Sequence, residues 1–218
     1  MRDETMILTP QVVAVLGSGA LQDLPAAEYA DMIELRLDLV EEEPLETLRA
    51  LRRATTRPII ATCRPTYEGG RFEGEEVERL ELLAEASEYA SLVDIELRAQ
   101  GRLRVSRPLI VSYHDFSGTP SREKMEGIIR DMMDAGAAIA KLAVTPSSLK
   151  DNLLILEMLL GAEAPLCMIA MGPLGRHMRA IAPLYGSLLT YGYVSQPAAP
   201  GQMRVDELVE AMRLLSIR

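Results

Sequence analysis

Residues 31–40 read DMIELRLDLV. On an extended chain Glu34, Arg36 and Asp38 share one face, and Ile33, Leu35, Leu37 and Leu39 share the other. The aliphatic face suits packing against helices. The charged face has two possible homes: solvent, at the edge of an open sheet, or the inside of a barrel, which has no edge strand. The reading of this stretch therefore turns on whether the remaining strands close.

Seven further runs have strand character: VVAVLG (12–17), PIIATC (58–63), SLVDIEL (91–97), PLIVSYHDF (108–116), AAIAKLAVT (137–145), PLCMIAM (165–171) and SLLTYGYV (187–194). Between them, apolar residues recur with helical spacing. Val77, Leu80, Leu83 and Ala84 predict one buried face, and Met125, Ile128, Ile129, Met132 and Met133 a second. Leu149, Leu153, Leu156 and Leu160 predict a third, and Val205, Leu208, Val209 and Met212 the last. Thr119-Pro120 and Thr145-Pro146 read as N-caps followed by proline in the first helical position. Strands alternating with helices imply parallel pairing and right-handed crossovers.

Eight units in 218 residues are about 27 residues each, near the lower end for a closed (β/α)8 barrel. The rival is an open doubly wound sheet, but VLGSGALQDL after the first strand offers only Gly17 and Gly19, not a G-x-G-x-x-G turn. Even spacing favours closure. The expected architecture is α/β, a (β/α)8 TIM barrel forming a single domain over residues 1–218, with the charged face of 31–40 turned inward.

With 48% hydrophobic and 25% charged residues, the composition is that of a soluble globular chain. The net charge of −9 argues against a nucleic-acid or anionic-membrane surface. It leaves room for an anionic small molecule held by a few arginines. The stretch MRDETMILTP has acids where a signal peptide carries basic residues, and no apolar run approaches the ~20 residues of a membrane span. A cytoplasmic location is expected. Cys63 and Cys167, both in apolar runs, predict buried reduced thiols rather than a disulfide framework or a zinc cluster.

In a barrel, functional groups gather at the C-terminal strand ends. Arg64 ends the third strand in TCRPTYEGGRF, with Glu68 in the glycine-rich loop that follows. Asp94 and Glu96 alternate on the fourth strand and read as inward acids balancing Arg36 or Arg64. The fifth strand ends in YHDF and supplies His114; the other histidine, His177 in GRHMRA, reads as solvent-facing or structural.

Lys141 stands in IAKLAVTP one strand–helix cycle after His114, on the neighbouring strand ~5 Å away. A lysine in an apolar strand has two readings: an ion pair with Asp94 or Glu96, or an amine that desolvation leaves free to attack a carbonyl. Arg176 and Arg179 follow the seventh strand, Arg176 reading as an ordinary surface residue and Arg179 as a bidentate anion ligand. QPAAPGQM, ending near Gln202, follows the eighth; loops after these two strands often bind anions.

Taken together, IELRLD, TCRPTYEGGRF, VDIEL, VSYHDF, AKLAVTP and YGSLLTYG…APGQ resemble the type I 3-dehydroquinate dehydratase family, in order, from about residue 12 to 210. The resemblance implies a (β/α)8 barrel with no metal and no cofactor. Its implied reaction is dehydration of 3-dehydroquinate to 3-dehydroshikimate through a lysine Schiff base (imine), in the shikimate pathway of aromatic amino-acid biosynthesis. By position it makes Lys141 the Schiff-base lysine, His114 the general acid–base and Glu68 the carboxylate that orients the histidine. Arg179 matches a clamp on the substrate carboxylate, Glu34, Arg36 and Arg64 match hydroxyl-binding positions, and Gln202 matches a lid residue in the 195–203 loop. Ala198 departs from the pattern, since many members carry serine four residues before that glutamine. The family tendency is to form homodimers, and the start of the chain leaves little room for a hairpin under the barrel. A class I aldolase-like barrel is the nearest alternative, but no glycine-rich phosphate cradle follows strand 7 or 8. A non-catalytic binding barrel would be expected to lack Lys141, His114 or Glu68.

Overall fold

The computed structural model describes residues 9–41 and 43–217. The expectations placed on residues 1–8, concerning a signal peptide and an N-terminal hairpin, lie outside the described residues. All eight predicted strands form: β1 (Gln11–Leu16), β2 (Met32–Arg36), β3 (Ile59–Thr62), β4 (Leu92–Glu96), β5 (Leu109–Asp115), β6 (Ile139–Val144), β7 (Leu166–Ala170) and β8 (Leu189–Tyr193). A two-residue strand, β9 (Met203–Arg204), is added beside β8. All pairings are parallel, in the order β7-β6-β5-β4-β3-β2-β1-β8-β9. The ladder curls round until β7 and β8 meet. There the Leu188 amide donates to the Leu166 carbonyl at 2.8 Å, and the Ser187 hydroxyl accepts from the Met168 amide at 3.2 Å. The fold is a (β/α)8 barrel.

Alternation sorts each strand into an inner and an outer face. The outer residues, among them Ile33, Leu35, Ile95, Val111 and Leu142, pack under the helices in one apolar cluster. Inside, Met32, Ile60, Leu92, Ile110, Ile139 and Leu189 form an apolar floor. Two residues further along the same strands the interior turns polar, with Glu34, Thr62, Asp94, Ser112 and Lys141 all buried. The floor keeps water from reaching these groups from below, so they must satisfy one another or a ligand from above.

Four details differ from the sequence expectation. Strand β2 ends at Arg36, and Leu37–Leu39 form a 3-10 turn. Asp38 therefore leaves the inward face; its carboxylate grips Arg36 at 2.9 and 2.7 Å and accepts the Arg64 and Arg71 amides, each at 3.0 Å. Two otherwise orphaned loop N–H groups account for its position.

Helix α4 (Arg122–Asp134) is capped by Ser121, whose hydroxyl accepts from the Lys124 amide, and α5 (Leu149–Leu160) by a Ser148–Asp151 capping box. The two Thr-Pro pairs lie ahead of these caps; Thr145 Oγ1 instead donates to the Asp115 carbonyl at 2.9 Å.

On α5 the buried residues are Asn152, Ile155, Met158 and Leu159, while Leu149, Leu153 and Leu160 are 62%, 60% and 68% exposed. That helix is apolar on most sides, and Asn152, donating to the Leu174 carbonyl at 2.8 Å, fixes which face turns inward. On α3 (Glu76–Ala86), Leu83 and Ala86 are buried but Val77 is exposed, and Arg79 is buried completely.

Helix α8 (Val205–Leu214) buries Val205, Leu208, Val209 and Met212 as expected, and Cys63 and Cys167 are buried free thiols. Among the described residues no helix is long and apolar enough to cross a membrane.

Candidate active site

The polar interior is one connected network. Lys141 Nζ donates to Asp94 Oδ2 at 2.8 Å and lies 3.6 Å from Glu34 Oε1, which also accepts from Thr62 at 3.0 Å. Arg64 Nη2 donates to the other Asp94 oxygen at 2.8 Å, and Nη1 to Ser112 Oγ at 2.8 Å. Nη1 also pairs with Glu96, whose second oxygen lies 2.7 Å from Arg79 Nη1. Arg79 reaches in from helix α3 and donates to the Cys63 carbonyl at 2.8 Å. Burial alone would raise Asp94, but Arg64 and Lys141 hold its carboxyl well below the usual carboxylate range. The ion-pair reading of Lys141 is thus realised through Asp94, and not through Glu96.

His114 lies beside Lys141 on the barrel wall. In the β5–β6 register Ser112 faces Lys141 and His114 faces Ala143, so the histidine stands one inward step nearer the mouth. Its Nδ1 meets Glu68 Oε2 at 2.8 Å. The turn after β3 makes this contact: Gly69 adopts φ 76°, and a Cβ there would collide with the Phe116 ring. With that turn in place the chain brings Glu68 back over β5. Burial pushes Glu68 up to about 7, and burial with Arg64 and Lys141 nearby pushes His114 well below its ordinary value. The imidazole is therefore held neutral.

One cavity at the C-terminal mouth collects these groups. Glu34, Arg36, Arg64, His114, Lys141 and Arg179 border it, as does Gln202. Glu68 stands behind His114. The eight residues to which the family resemblance gives a role are thus at or next to the cavity. Arg179, on α7 (Met178–Ile181), is buried, and among the described residues its Nε and Nη2 have no hydrogen-bond partner. Burial lowers its guanidinium to about 10. Gln202 Oε1 accepts from the Ala198 amide at 2.8 Å, and Gly201, at φ 72°, lets the loop pack against Gly172 where a Cβ would not fit. Arg176 is exposed as expected, bonding to the Gln202 carbonyl and to Glu207.

Ser112, Arg79 and Tyr191 escaped the sequence reading. Ser112 and Tyr191 had a signal, since both occupy inward positions by strand alternation. Arg79 had none, because an arginine on an amphipathic helix reads as solvated.

A parallel barrel with lysine, a histidine–carboxylate pair and an arginine whose Nε and Nη2 lack partners among the described residues at its mouth belongs to the class of barrel enzymes for small molecules. The chain belongs to the type I 3-dehydroquinase family, whose model it matches over residues 13–218. It is 49% identical to the 3-dehydroquinate dehydratase of Methanothrix thermoacetophila, over 97% of this chain and 95% of that one. Identity to the enzyme of the same name from Methanocella arvoryzae is 44%, over 98% and 100%. In structure it is similar to the 3-dehydroquinate dehydratase of Geobacillus kaustophilus, with a TM-score of 0.87 at 30% identity, covering 96% of this chain and 92% of that one.

Proposed function

We propose that this chain dehydrates 3-dehydroquinate to 3-dehydroshikimate, in the shikimate pathway, through an imine on Lys141. The observation that carries the proposal is the placement of Lys141, His114 and a buried, unpartnered Arg179 around one cavity. A buried guanidinium with two nitrogens unpartnered among the described residues calls for an anionic ligand, and it suits a carboxylate. Glu34, Arg36 and Arg64 stand as contacts for the substrate hydroxyls, with Gln202 in the loop above.

In this reading neutral Lys141 adds to the C3 ketone, and His114 relays a proton from solvent to the carbinolamine hydroxyl, which leaves as water to give a protonated imine. His114 takes the C2 proton, and the electron pair moves into the imine to form an enamine. The enamine expels the C1 hydroxyl, which leaves as water with a proton returned by His114. Hydrolysis frees the enone and regenerates the amine. When Glu68 is ionised, His114 Nδ1 must carry the hydrogen, leaving the Nε2 lone pair as the base. Asp94 and Glu34 pair with the ammonium form of Lys141, and a protonated imine keeps its positive charge beside the same carboxylates. Borohydride reduction in the presence of 3-dehydroquinate is expected to add the substrate mass at Lys141. A reduced protein without that adduct sinks the proposal.

Assembly as a homodimer has a fitting surface on α5. An antiparallel copy of this helix about its midpoint would set Leu149 against Leu160 and Leu153 against the half-buried Leu156, covering the exposed Leu149, Leu153 and Leu160. Sedimentation is expected to give a dimer, and Leu153→Lys a monomer. An unchanged sedimentation coefficient for that variant excludes this face.

A further inference from the structure

Tyr191 lies on β8 with its side chain inside the barrel, 3% exposed, in the apolar cluster that includes Cys167, Ile169 and Met171. Lys141 Nζ sits over its ring, 4.2 Å from the centroid. Its phenolic oxygen is buried and, among the described residues, has no hydrogen-bond partner. Buried phenols almost always find one. A phenylalanine would fill the same space and keep the same ring face toward the lysine without stranding a hydroxyl.

The place of that hydroxyl is informative. Tyr191 borders the same cavity as Arg179. Around the cavity the other charged side chains are engaged: Arg36 with Asp38, Arg64 and Lys141 with Asp94, Glu34 with Thr62, and His114 with Glu68. Among the described residues bordering the cavity, the buried side-chain polar atoms without a hydrogen-bond partner are Arg179 Nε, Arg179 Nη2 and the Tyr191 hydroxyl. All three can donate, which matches the two oxygens of a carboxylate. Ala198, in the mouth loop, packs against the cluster that holds Tyr191 and brings no hydroxyl of its own.

We propose that Tyr191 is a substrate-binding residue whose O–H donates to the substrate carboxylate alongside Arg179, while its ring face supports the cationic nitrogen on Lys141. The inference rests on the reading that the cavity takes 3-dehydroquinate. Burial pushes the phenol well above its ordinary value, so it acts as a donor and not as a base. The ring contact is electrostatic: a cation at the nitrogen, ammonium or imine, is attracted to the π face.

The test is Tyr191→Phe, which keeps the ring and removes only the oxygen. KM for 3-dehydroquinate is expected to rise about tenfold, the size of a lost hydrogen bond to a charged group. kcat should stay within about threefold, borohydride should still trap the Lys141 adduct, and thermal stability should not fall. In the R179Q/Y191F double variant the two KM effects should be non-additive, because both donors hold one group. An unchanged KM, or a loss confined to kcat, overturns the role of the hydroxyl, and strict additivity overturns the shared carboxylate. In each of those cases a trapped adduct leaves the Lys141 reading standing. Absence of the adduct in the unmodified protein defeats that reading itself.

Discussion

The two sides of the cavity are built on opposite electrostatic plans. From β2 to β6 the wall is charged and internally matched: Glu34, Asp94 and Glu96 interleave with Arg64, Arg79 and Lys141 over distances of 3.6 Å or less. From β7 round to β1 the wall is apolar, made by Ile169, Met171, Tyr191 and Val15, and there Arg179 Nε, Arg179 Nη2 and the Tyr191 hydroxyl have no hydrogen-bond partner among the described residues. The matched side is set before any ligand arrives, with its charges fixed by one another. The unmatched side carries a desolvation cost that a ligand anion would relieve. One side therefore contributes to holding the fold, and the other is the side proposed to hold the ligand.

The largest expected effect comes from breaking the matched side. Asp94→Asn removes the anion between Arg64 and Lys141, leaving two buried cations with only Glu96 and Glu34 respectively as carboxylate partners. We expect a loss of about 3–5 kcal/mol in unfolding free energy, measured by urea titration at neutral pH, as for one partner lost from a buried pair. The pH dependence follows from sign. The folded-state value of Asp94 is depressed below the ~3.9 of an unfolded aspartate, so its stabilisation is present above that pH and is lost as pH falls through the folded value. The unmodified protein should lose stability on acidification below about pH 4, and the variant should lack that component. Equal stability of the two at neutral pH would mean that the network does not support the fold.

The same division explains what could be read from the chain. The eight strands were legible because each is a short apolar run, and the inward acids, lysine and histidine interrupt those runs with period two. The cavity residues followed, since strand ends and the loops after them converge at one mouth. Helix faces were less legible. On α5 the leucine stripe at 149, 153, 156 and 160 fits helical periodicity as well as the buried set does, and only the Asn152–Leu174 contact decides between them. Arg79 was hidden because its pairing with Glu76 is that of an ordinary helix-surface pair, while its other partners, Glu96 and the Cys63 carbonyl, are distant in sequence and meet it only after α3 docks. The start of α5 was misplaced because a Ser148–Asp151 box satisfies orphan amides that Thr145 leaves alone. The isolation of Arg179 and Tyr191 is a property of what surrounds them, and no spacing encodes it.

Changing the unmatched side should have the converse outcome. Arg179→Gln removes a buried charge that has no partner at Nε or Nη2, so the unliganded protein gives up no ion pair among the described residues. We expect stability within about 1 kcal/mol of the unmodified protein, or slightly above it, because the desolvation cost of the guanidinium is gone. Catalysis should suffer instead. kcat/KM for 3-dehydroquinate is expected to fall about 100-fold, or about 2.7 kcal/mol, chiefly through KM. Arg179→Lys should recover only part of this, since an ammonium cannot reproduce a bidentate grip. The contrast with Asp94→Asn is the informative measurement: one substitution spends its effect on folding and the other on binding. If Arg179→Gln instead unfolds the protein while leaving KM unchanged, the unmatched side is structural after all and the carboxylate must be held elsewhere in the cavity.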